Sequence, residues 1–110
     1  MRKDPDRLMD ILEAIERIDR YTGEGRNAFQ ENELIQTWTV HHLQIIGEAA
    51  RKVSEGLREA HPEVPWKQLV AMRNILVHDY FAVDEERVWA VVQNELPKLK
   101  GQIEAIASSM

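Results

Sequence analysis

Leu8, Ile11, Leu12, Ile15 and Ile18 recur at spacings of three and four, which places them on one stripe of a helix. Asp4-Pro5 supplies a capping residue followed by proline at the first helical position, so a first helix is predicted from Pro5 to Tyr21. Gly23 and Gly25 break the pattern, and Asn27 with Gln30 three residues later reads as a capping box beyond a tight turn. The apolar spacing resumes at Leu34 and continues through Trp38, His42, Ile45, Ile46, Ala49, Val53 and Leu57, with Arg51, Lys52, Glu55 and Arg58 off the stripe. A long central helix is therefore expected from Leu34 to about Ala60. It must stop at His61-Pro62-Glu63-Val64-Pro65, because proline clashes with the preceding helical turn.

Pro65 then opens a third helix on which Leu69, Val70, Met72, Ile75 and Leu76 suggest burial on more than one side. Asp84 caps a fourth, with a stripe of Val88, Val92, Leu96, Leu99, Ile103 and Ile106 and a kink expected at Pro97. No repeat or strand-like alternation interrupts the pattern. Four helices with short connections imply an all-α, up-and-down four-helix bundle with a kinked last helix, forming one domain over residues 1–110. Val40, Trp89 and Val91 fall off the main stripes, flanked by Ile35 and Ile45. Such a leftover apolar strip on a small bundle points to a second copy or another partner, or else to the core if the helices are rotated.

Composition narrows the chemistry. The chain has no cysteine, which excludes disulfides, thiolate metal ligands and a cysteine nucleophile. The N-terminus never develops the apolar run of a signal peptide and no stretch is long enough to span a bilayer, so a cytoplasmic protein is expected. A net charge of −5 argues against indiscriminate binding to a polyanion, and any RNA contact would need a local basic patch. Arg51, Lys52, Arg58 and Lys67 are candidates for it. His41 and His42 are adjacent, hence on different helix faces, and poorly placed to share a metal. Trp38, Trp66 and Trp89 read as core or interface anchors. No metal site and no cofactor are expected, and the third helix is too poor in basic residues for a DNA-recognition helix.

The segment Met72-Arg73-Asn74-Ile75-Leu76-Val77-His78-Asp79-Tyr80 sets distinct polar groups in an apolar context. Cleavage of RNA by its own 2′-hydroxyl needs a base for that proton, an acid for the departing 5′-oxygen and a cation for the phosphorane. Histidine titrates near neutrality and arginine offers a charged, planar fork of donors to phosphate. In a continuous helix, Arg73 and His78 point about 140° apart at about 100° per residue. They converge if the helix ends near Leu76, or if two copies of the segment meet across a dimer. Asn74 could orient Arg73 or bond phosphate, and Tyr80 could add a donor. Glu48 could orient Arg73 or His78, or pair along its own helix with Arg51 or Lys52. The purely structural alternative pairs Arg73 with Glu48 or Asp79 and uses His78 as a C-terminal cation.

Arg73, four residues, His78, one residue and Tyr80 form an R-x4-H-x-Y motif, and over nearly its full length the chain resembles HEPN-domain ribonucleases of the HepT type. Ile45-Ile46-Gly47-Glu48-Ala49-Ala50, Pro65-Trp66 and Tyr80-Phe81 leading to Val83-Asp84 extend the likeness. The resemblance implies a toxin of a toxin–antitoxin module: a metal-independent endoribonuclease acting as a homodimer, with Arg73 and His78 catalytic. It implies as partner a cognate minimal nucleotidyltransferase antitoxin that can transfer AMP to Tyr80. Asn74 fits the polar position after the arginine. Two other functions are compatible with the residues: a non-catalytic nucleotide-binding or scaffolding subunit of a nucleotidyltransferase complex, and a structural adaptor.

Overall fold

The computed structural model describes residues 3–78 and 84–110. All the regular structure among the described residues is helical: α1 (Asp4–Thr22), α2 (Arg26–Glu31), α3 (Glu33–Lys52), α4 (Glu55–Ala60), α5 (Trp66–His78), α6 (Glu85–Ala90) and α7 (Leu96–Ser108), with a π-helical segment Val91–Glu95 joining the last two. The all-α bundle expected from the hydrophobic pattern is observed. Helix α3 is its axis, packed on α1 along one side and on α5 along another, and α7 lies against α1. Leu8, Ile11, Ile15, Ile18, Leu43, Ile46, Leu96 and Ile103 are almost completely buried where these helices meet.

The expected first helix is present, with one change at its start. Asp4 lies inside α1 rather than capping it, and the Asp6 carboxylate accepts from the Lys3 N–H at 3.2 Å. Asp4 instead reaches across the bundle, accepting from the Ser54 N–H at 2.9 Å and from its hydroxyl at 2.5 Å. The anticipated cap at Asn27 is also corrected. Gly25, whose φ of 103° is open to glycine, precedes the short α2, and Asn32 caps α3 by accepting from the N–H groups of Leu34 and Ile35 at 3.0 and 3.2 Å.

The long central helix is two helices. Val53 is extended (φ −63°, ψ 141°) and Ser54 caps α4 through its hydroxyl, which accepts from the Leu57 N–H at 3.3 Å. Apolar spacing runs across this break because Val53 remains in the core and Leu57 stays partly buried, so periodicity alone is blind to it. The third helix is also less enclosed than expected. It packs on α3, and Ile75 and Val77 are 55% and 40% exposed.

Asp84 caps α6 as anticipated, accepting from the Glu86 N–H at 2.9 Å. The disturbance expected at Pro97 takes the form of a widened turn, in which the Leu96 N–H bonds to the carbonyl of Val91, five residues back. Proline has no N–H to continue the ordinary ladder. Trp89, Val92 and Leu96 all lie in the core on either side of this turn. Val40 and Trp89, expected on a leftover strip, are buried. Trp89 lies 5.2 Å from Phe29, ring centre to ring centre, so helix rotation accounts for both residues.

Candidate functional site

The seam between α3 and α5 is unusually close at one point. A Cβ built on Gly47 would lie 2.2 Å from the Cβ of Arg73 and 2.7 Å from the carbonyl oxygen of Leu69, so only glycine permits the approach. Gly47 carries no chemistry, and its sequence context does not mark it as a site residue. The available signal is a glycine inside an otherwise good helical pattern, which is unfavourable unless packing requires it. Farther along the seam, Gln44 donates from Nε2 to the carbonyl oxygen of Leu76 at 3.3 Å, satisfying part of the last turn of α5. Later residues of α3 thus meet earlier residues of α5, and the two helices run antiparallel.

The close contact sets Arg73 over the next residue of α3. Arg73 Nε lies 3.3 Å from Glu48 Oε2, and both side chains are roughly two-thirds removed from solvent. Oε2 is buried and receives no well-directed hydrogen bond, so its attraction to Arg73 is mainly electrostatic. The other carboxylate oxygen accepts from Arg51 Nη2 at 2.8 Å and faces Lys52 Nζ at 3.3 Å. The hydrogen bond from Arg51, aided by Lys52 and the charge of Arg73 against a penalty for burial, holds the Glu48 carboxyl down at about 2. Glu48 is therefore ionised at any physiological pH. Glu48 meets both sets of partners weighed for it from the sequence, Arg73 across the seam and Arg51 with Lys52 along its own helix.

Arg73 turns its other side toward Asn74, whose Oδ1 accepts from Arg73 Nη1 at 2.9 Å. Asn74 and His78 are four residues apart on α5 and so are neighbours on its surface. The hydrogen bond draws the guanidinium round the helix, away from the core-facing line of Leu69 and Leu76 and toward the face that carries His78. Helix α5 continues without interruption to His78, which overturns the idea that it ends near Leu76 and swings the imidazole back. His78 is exposed. Glu48, Arg73 and Asn74 thus form one cluster, with His78 one turn beyond. Asp79, Tyr80, Phe81 and Val83 lie outside the described residues.

The remaining candidates are elsewhere. His42 is buried and its Nδ1 lies 2.8 Å from the carbonyl oxygen of Trp38, which can only accept, so Nδ1 carries the proton. Desolvation lowers the pKa of His42, and the charges of His41 and Arg17 push the same way against the hydrogen bond to Trp38. Trp38 donates to the Arg17 carbonyl and Trp66 to that of His61, so both tie helices or loops together. Among the described residues, no three His, Asp or Glu side chains gather in a group that could hold a metal ion. No helix among them is long and apolar enough to cross a membrane.

Residues 11–106 match the family model described as "Ribonuclease HepT-like", and the chain belongs to that family. It is 38% identical over 106 residues to a protein of Thermococcus cleftensis named a probable ribonuclease HepT, covering 96% of each chain. It is 39% identical over 100 residues to a candidate RNase of Methanocaldococcus jannaschii, covering 90% of this chain and 92% of that one. A candidate RNase of Caldanaerobacter subterraneus subsp. tengcongensis is 35% identical over 89 residues, covering 81% of this chain and 80% of its own. No solved structure gives a significant match.

Proposed function

We propose that this protein is the toxin of a toxin–antitoxin module, an endoribonuclease that cleaves RNA without a metal ion and acts in the cytoplasm. The observation that carries the reading is the Arg73–Asn74 hydrogen bond on the face of α5 beside His78, in a chain of the HepT-like ribonuclease family. His78 takes the proton of the 2′-hydroxyl, whose oxygen attacks the adjacent phosphorus. Arg73, steadied by Glu48 and Asn74, stabilises the charge that builds on the phosphorane oxygens. The 5′-oxygen leaves with a proton from an acid, and the products are a 2′,3′-cyclic phosphate and a 5′-hydroxyl.

One imidazole cannot be base and acid in the same instant, and this favours a homodimer in which the two copies of His78 divide the work. Apolar side chains left open on α5 favour a second copy: Ile75 and Val77 are 55% and 40% exposed. The partner in this reading is a cognate minimal nucleotidyltransferase that neutralises the toxin by transferring AMP to Tyr80. A phosphate-bearing group two residues from His78 would repel RNA and fill the site. Expression of the protein without a partner should arrest growth and degrade RNA, and His78→Ala should do neither. A well-folded protein that leaves growth and RNA intact would shift the reading to a nucleotide-binding or scaffolding subunit.

A further inference from the structure

Most ion pairs among the described residues join one cation to one carboxylate: Arg17 to Glu13, Arg20 to Glu16, Arg26 to Glu86 and Lys100 to Glu104. Glu48 is different, with Arg51, Lys52 and Arg73 all within 3.3 Å of its two oxygens. Three cations around one anion leave a local excess of positive charge on a chain whose net charge is −5. The break at Val53 makes Arg51 and Lys52 the last turn of α3, where the helix dipole favours cations. That accounts for basic residues at this end, but not for their convergence on the carboxylate that also holds Arg73. Their side chains remain 53% and 42% exposed, so they keep donors free for another anion.

Position along the seam gives this excess a direction. Because α3 and α5 are antiparallel, His78 lies toward one end, Arg73 in the middle, and Arg51 with Lys52 beyond it. At about 1.5 Å of rise per residue, the backbone of His78 is about 7.5 Å along α5 from that of Arg73, while Arg51 and Lys52 start from the opposite direction along α3 and reach back to Glu48, 2.8 and 3.3 Å from its Oε1. From His78 to this cluster the row is longer than a single phosphate group. We infer that Arg51 and Lys52 form a subsite for the phosphate that flanks the scissile one, with Glu48 holding both of them and Arg73 in one row along the RNA backbone. The subsite rests on the ribonuclease reading.

The test is binding of a 2′-O-methyl oligoribonucleotide, which lacks the attacking hydroxyl, over a range of salt concentrations. Each phosphate contact on a single strand contributes about −0.7 to the slope of log K against log salt. Arg51→Gln with Lys52→Gln should make the slope shallower by about 0.7–1.4, while Arg20→Gln with Lys100→Gln, which removes the same charge elsewhere, should leave it unchanged. Melting curves of both double variants establish that each is folded at the assay temperature. An unchanged slope in the folded Arg51/Lys52 variant, with tight binding by the wild type, would overturn the subsite and leave the ribonuclease reading standing. No binding by the wild-type protein would sink both.

Discussion

Gly47→Ala tests whether the α3–α5 contact positions Arg73. The added methyl would meet Arg73 Cβ at 2.2 Å, short of an ordinary 3.4 Å contact by about 1.2 Å, and the Leu69 carbonyl at 2.7 Å. Neither atom is the free end of a flexible side chain, so α5 itself must retreat. Overpacking of this kind costs about 1–3 kcal/mol, while replacing a mid-helix glycine by alanine returns about 1 kcal/mol of helix propensity. Because a whole helix must retreat by about an ångström, the cost lies at the upper end of that range, about 2–3 kcal/mol, so the net expectation is a destabilisation of about 1–2 kcal/mol, or a fall in Tm of about 5–10 °C for a domain of this size. Gly101→Ala in α7 is the control: nothing lies within 4 Å of its added Cβ, so only the propensity gain applies and Tm should rise slightly. Circular dichroism melts of the two variants decide the matter. RNA cleavage by Gly47→Ala should fall by roughly 10²-fold at a temperature where the protein is still folded, because an ångström of displacement takes Arg73 off its target. A Gly47→Ala protein as stable as wild type, or more so, would refute the close approach and the positioning of Arg73 with it.

Three further outcomes are expected. Ser54→Ala removes the cap of α4 and the hydroxyl bound by Asp4, and should cost about 1–2 kcal/mol in denaturant titration; Asp4→Ala combined with it should be less than additive. Glu48 has a folded pKa of about 2 against an ordinary 4.5, so its contribution to stability is full above about pH 4.5 and is lost as pH falls toward 2. Glu48→Gln should flatten that part of the stability profile. His42 has its pKa lowered by burial, so the unfolded chain binds the proton more readily, and stability should fall as pH drops below about 6.5. The pH dependence of Tm between about 7.5 and 5 should be reduced in His42→Gln, and an unchanged slope would show that His42 is not responsible.

The helical stripes are legible in the sequence because a buried face repeats every three or four residues: Leu8 to Ile18 and Val88 to Ile106 lie in the core as read. The break at Val53-Ser54 is hidden because it preserves that repeat, though Ser54-Glu55 is a helix-start signal within an unbroken stripe. Trp89 falls off the expected stripe because α6 is rotated so that Val88 and Trp89 both face the core. In the site, the residue types and spacing single out Arg73, Asn74, His78 and Glu48. The contacts among Glu48, Arg73 and Asn74 depend on the antiparallel seam and on Gly47, which no spacing along one helix reveals. Gln44 is silent in the sequence for the same reason, since its role is to receive the end of a helix far away along the chain.

If Arg73 and His78 cut RNA through the 2′-hydroxyl with no metal, the chemistry of the product ends follows directly. The most direct measurement incubates purified wild type, Arg73→Ala and His78→Ala with a defined oligoribonucleotide in the presence of chelator, and identifies those ends by mass. Wild type should yield a 2′,3′-cyclic phosphate and a 5′-hydroxyl, and both variants should yield neither while melting normally. Cleavage by the His78→Ala protein, or activity that disappears with chelator, would contradict metal-independent cleavage centred on these two residues.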